Sequence, residues 1–106
     1  MKPFLLIIDS LAMPGNRLGS GRMAFIDIFV FADSTEHAED RAIRYLNQLG
    51  WLKIELMASF ERPEPPQRSD EKWAKAYRQA EYHGIGLHVN LSPIDMEPGF
   101  YGEAFE

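Results

Sequence analysis

The chain contains no cysteine. That absence excludes disulfides, thiolate metal sites and a thiol nucleophile. It also lacks a long apolar run. The first one, Phe4 to Ile8, is broken at Asp9, far short of the ~20 residues that span a bilayer. It is also too short for the core of a secretion signal, so it reads as a strand and the expectation is a cytoplasmic protein with no membrane partner. Positive charge is scarce as well: 11 Lys and Arg stand against 16 Asp and Glu, a net charge of −5. Nucleic-acid binding needs a basic face that displaces counterions, and anionic membrane surfaces need the same, so neither is expected. The chain shows no internal repeat.

What is present suits one small domain. The 106 residues are 45% hydrophobic and 25% charged, close to the globular average and enough for one core. Phe4 to Ile8 is apolar at every position, as in a strand buried on both faces. Ser10 to Arg22 holds Pro14, Gly15, Asn16, Gly19 and Gly21 and reads as a long, solvated connection. Its glycines invite comparison with a phosphate-binding loop. The context is wrong, because it joins strand to strand and lacks the Lys-Ser/Thr ending.

Met23 to Ala32 reads as a second strand with Ala24, Ile26, Ile28 and Val30 on one face and Phe25, Asp27, Phe29 and Phe31 on the other. A helix follows from about Thr35 to Leu49. Asp33 or Ser34 caps its start, and Ala38, Ala42, Leu46 and Leu49 form its apolar stripe. Gly50 suits the left-handed cap, with Trp51 behind it. Trp51 to Phe60 reads as a third strand with Leu52, Ile54, Leu56 and Ala58 inward by strict alternation. Pro63, Pro65 and Pro66 forbid its continuation. Ser69 or Asp70 caps a second helix ending at Gly84, striped by Trp73, Ala76, Tyr77 and Ala80. Ile85 to Leu91 is the fourth strand, with Gly86, His88 and Asn90 on its outward face.

The expected fold is α+β: a two-layer sandwich with a four-stranded mixed sheet and two helices on one face, in the order β-β-α-β-α-β. A rearranged ferredoxin-like sheet is the alternative. The domain is expected over 1–92, with an acidic, aromatic tail over 93–106.

The run Ala32-Asp33-Ser34-Thr35-Glu36-His37-Ala38-Glu39-Asp40, continuing to Tyr45-Leu46-Asn47-Gln48-Leu49-Gly50-Trp51, resembles small bacterial domains of unknown function. In those a strand ends at Ala-Asp-Ser and a helix closes at Gly-Trp before the next strand. The resemblance implies a fold and a bacterial context, and it carries no catalytic residue across.

No catalytic constellation stands out, and no cofactor or metal site is expected. His37, His83 and His88 show no paired-ligand spacing. Asp27 and His88 would face each other if the second and fourth strands were neighbours. A carboxylate orienting an imidazole is a general-base arrangement, and a plain sheet-surface hydrogen bond is the simpler role. The stronger expectation is an interaction surface made by Phe25, Phe29 and Phe31 with Trp51 and Met57. The tail residues Phe100, Tyr101 and Phe105 would cover it in the same chain or across a homodimer. An aromatic sheet can also stack RNA bases, but this strand carries Asp27 where such platforms carry Lys or Arg. The sequence thus points to a non-enzymatic domain that self-associates or binds one protein partner. The alternative is a small-molecule-binding protein or cofactor-independent enzyme with a pocket on that outer sheet face.

Overall fold

A computed structural model describes residues 1–91, so the tail beyond, with Phe100, Tyr101 and Phe105, lies outside the described residues. The chain runs β1 (Lys2–Ala12), β2 (Met23–Ala32), α1 (Thr35–Gln48), β3 (Trp51–Glu61), α2 (Glu71–His83), β4 (Ile85–Leu91). It is an α+β fold with the four strands, two helices and element order that the patterning predicts. The strands form one sheet in the order β3-β1-β2-β4. Ser34 accepts from the His37 backbone N–H at 3.1 Å and starts α1, while Asp70 does the same for α2 from Trp73 at 3.2 Å. Both helices end on glycines with φ near +86°, Gly50 and Gly84 (φ 87° and 85°), where a side chain would be strained.

Two details of the expected arrangement differ. The sheet is wholly antiparallel rather than mixed. β2 and β3 do run the same way, but β1 lies between them and opposes both. β4 opposes β2 because α2 is not the only link from β3. The proline-bearing segment 62–70 comes first, and in an extended form it advances about 3 Å per residue, nearly a strand's length. It carries the chain back along the sheet, so α2 ascends beside β2 and β4 enters in the reverse direction. The contacts of α2 confirm its course: Trp73 meets Asp27, Tyr77 meets Phe29 and Phe31, and the Gly84 carbonyl accepts from the Phe31 N–H.

The helices also lie on opposite faces, not on one. Ala38, Ala42 and Leu46 of α1 pack against Phe4, Leu6, Ile8, Ile26, Ile28 and Val30. Ala76 and Ala80 of α2 pack against Leu5 and Phe29, flanked by Phe31, Trp73 and Tyr77. The cause is plain in β1 and β2, which are apolar on both faces. Each face needs a cover to remove it from water.

The connection between β1 and β2 is anchored. The Met13 N–H donates to the Gly50 carbonyl at 2.8 Å, and Asn16 Nδ2 donates to the same oxygen at 2.9 Å. Gly86 marks the closest approach of helix to sheet. A Cβ there would collide with the Ala76 carbonyl oxygen and lie 2.6 Å from Gln79 Cβ and 2.9 Å from the Ala80 nitrogen. On the far edge of α2, the Tyr77 hydroxyl is held above its ordinary value of 10, first by burial and then by the Glu81 carboxylate. An unfolded phenol ionises near pH 10 while the folded one keeps its proton. Stability is therefore expected to be flat below about pH 10 and to fall as pH rises through the higher folded value. Urea midpoints at about pH 9 and about pH 11 should show that loss, and Tyr77→Phe should reduce it.

Candidate functional site

The outward residues of β2 fall into three different environments. Phe29 is buried under α2, its ring edge-on to Trp73 and Tyr77 at centroid distances of 5.6 and 5.5 Å. Phe31 is partly buried against Tyr77. Phe25, beyond the end of α2, stays 48% exposed. The three therefore do not form one open aromatic surface; Phe29 belongs to the core because α2 crossed to this face. Trp51 is a core residue too, on the opposite face, packed with the α1 cluster.

Asp27 and His88 are cross-strand neighbours, since β2 and β4 pair there. They do not form a dyad. Asp27 Oδ2 accepts from Trp73 Nε1 at 2.8 Å and from Asn90 Nδ2 at 3.0 Å. Asn90 Nδ2 also donates to the Phe25 carbonyl, at 3.1 Å. Asp27 is thus a buried anchor that fixes the start of α2 on the sheet, with both donors compensating its lost hydration. The Arg62 guanidinium lies 5.0 Å above the Trp73 ring, closing the group from the linker side. Trp73 and Asn90 are site residues that the sequence pattern does not mark as such. Alternation does put Asn90 on the face of Asp27, but nothing local places a helix tryptophan above both.

His88 lines an open cleft of about 450 Å³ between α2 and β4, beside Lys72, Lys75, Glu71 and Gln79. Asp27 takes no part in that lining. His37 and His83 are exposed. Among the described residues, no three His, Asp or Glu side chains gather as metal ligands would.

The larger uncovered apolar surface lies at the other edge. β3 is an edge strand and pairs only with β1. Its pairing shifts register twice, between Ile7 and Ile8 and between Asp9 and Ser10. Met57 and Ile54 are the extra residues, one in each bulge. Each extra residue reverses the alternation, so the strict inward reading of Leu52, Ile54, Leu56 and Ala58 fails. Leu52 and Phe60 share the α2 face with Leu11 and Leu5, their partners in β1. Leu56 turns instead toward the α1 core, as Trp51 does, and is partly buried there. Leu52, Ile54, Met57 and Phe60 are 43–51% exposed. Phe25 opens onto the same face two strands away, because Asp9 pairs with both Phe25 and Glu55.

Comparison with known proteins gave no match. No family model, curated protein or solved structure matches the chain. The functional reading therefore comes from the geometry. Among the described residues, no helix is long and apolar enough to cross a membrane.

Proposed function

We propose that this domain works through protein contacts and self-associates through the outer side of β3. The observation that carries the reading is the set Leu52, Ile54, Met57 and Phe60, four large apolar side chains half in water on one edge strand. A long apolar edge invites pairing or aggregation unless a partner covers it. A two-fold axis places the same patch on both copies, so one exposed strand supplies both halves of the interface. The contact is made by side chains rather than by a continued backbone ladder, because both bulges interrupt the ladder on β3. Asp27 is committed to Trp73 and Asn90, which weighs against a reaction centred on it.

The test is the double variant Leu52→Lys/Phe60→Lys, followed by light scattering across a concentration series. Both positions are half exposed, so the fold should persist by circular dichroism. Two apolar side chains lost from an interface weaken it by roughly 3 kcal/mol, a hundredfold or more in dissociation constant. A dimer in the parent and a monomer in the variant supports the proposal. An unchanged mass in both sinks it.

A further inference from the structure

A second apolar groove, on the face covered by α1, opens at the end of the sheet where the β1–β2 connection stands. It holds about 360 Å³ between Asn16, Arg17 and Leu18 of the β1–β2 connection, Leu49 just after α1, Trp51 at the start of β3, and Leu87 and Val89 of β4. Leu18 and Leu49 stand exposed on its rim. α1 packs over β3, β2 and β1, which leaves the β4 side of this face to something else.

The chain itself supplies a candidate occupant. Leu91 pairs with Ala24 at the end of the sheet where the β1–β2 connection stands. Leu91, the last described residue, therefore stands at the end of the sheet where the groove opens. At 3.3–3.6 Å per extended residue, Ile94 and Met96 lie within roughly 10 and 18 Å of Leu91, enough to reach any part of it. Composition matches too. In Ile94-Asp95-Met96-Glu97 apolar and acidic residues alternate, and 92–106 holds Asp95, Glu97, Glu103 and Glu106 with no Lys or Arg. The groove is mostly apolar, with Arg17 as the one charged residue in its lining. An extended segment puts alternate side chains on opposite sides, so Ile94 and Met96 can face the groove together while the carboxylates stay in water near Arg17. The open apolar face on the other side of the sheet carries Asp9 and Glu55 instead, which set like charge against the same segment.

We propose that residues 94–97 dock in their own chain's groove, with Ile94 and Met96 seated on Leu87 and Val89 and an acidic neighbour paired with Arg17. The segment then closes the apolar gap that α1 leaves over β4. This inference is independent of self-association, which uses the outer side of β3.

Because the chain has no cysteine, engineered pairs give an unambiguous readout in the full-length protein. The Leu18→Cys/Met96→Cys variant should form an intramolecular disulfide under mild oxidation in dilute solution. It should do so at least tenfold faster than Phe60→Cys/Met96→Cys, whose partner lies on the opposite face. Adding Arg17→Glu to the first pair should slow closure severalfold. Equal rates for the two pairs, or no intramolecular product from the first, would overturn the proposal. A disulfide between two chains from the first pair would overturn it as well, by giving the groove to a second copy.

Discussion

Gly86→Ala is expected to destabilise the protein by about 3 kcal/mol, at the upper end for overpacking. Strand propensity alone predicts the opposite sign, because alanine in a strand interior loses less entropy than glycine. The geometry decides against propensity. The added methyl meets the Ala76 carbonyl oxygen and the Ala80 nitrogen, both backbone atoms of α2, and the Gln79 Cβ close to that backbone. None of these is the free end of a flexible side chain, so relief requires the helix to lift from β4. Lifting it strips cover from Phe29 and draws Trp73 from Asp27. Chemical denaturation of parent and variant, followed by tryptophan fluorescence, measures the loss. A variant as stable as the parent would show that α2 does not sit where the description puts it.

Phe29→Ala is expected to cost still more, about 3–5 kcal/mol, the usual range for removing a buried phenylalanine. Phe29 is 1% exposed and meets two aromatic rings edge-on, and such pairs contribute beyond their buried area. Ala76 and Ala80 on the facing helix are too small to fill the cavity. For a domain of this size that is a drop of roughly 15–30 °C in melting temperature. Phe25→Ala, on the same strand face but half in water, should change stability by less than about 1 kcal/mol. The contrast reports where α2 ends, since both residues are phenylalanines on alternate positions of β2. Calorimetry on the two variants gives it directly. Similar losses from both would mean that Phe25 is as deeply packed as Phe29.

The difference between those two phenylalanines also marks how far the sequence can be read. Local signals told the truth locally. Ser34 and Gly50 bound α1, Asp70 and Gly84 bound α2, and the alternation in β2 put Asp27, Phe29 and Phe31 on one face; Asp27 faces His88 only because the sheet order makes β2 and β4 neighbours. What lay beyond local signals was the side on which each helix falls. β2 is apolar on both faces, which demands two covers, but a periodicity in α2 does not say which face of the sheet it meets. The edge strand hid its exposure for another reason. Its composition, Trp51-Leu52-Lys53-Ile54-Glu55-Leu56, alternates as a half-buried strand should, and nothing in it announces the bulges at Ile54 and Met57. The two extra residues turn Leu56, which lies between them, to the α1 face, while Leu52 and Phe60 stay on the other face, where α2 packs over β2 and β4. Asp27 illustrates the converse. A lone carboxylate among aromatic residues suggests either a general-base pair with His88 or, more simply, a hydrogen bond across the sheet; the partner it takes is an indole from a helix 46 residues away in sequence.

Heteronuclear NMR spectra of the parent chain at low and high concentration test the central claim most directly. If the outer side of β3 carries self-association, the amide signals that move with concentration belong to residues 52–60, with the neighbouring β1 strand following. Those of β4 and the exposed face of α2 should stay still. Spectra that do not change over that range, or changes confined to β4, would contradict the account.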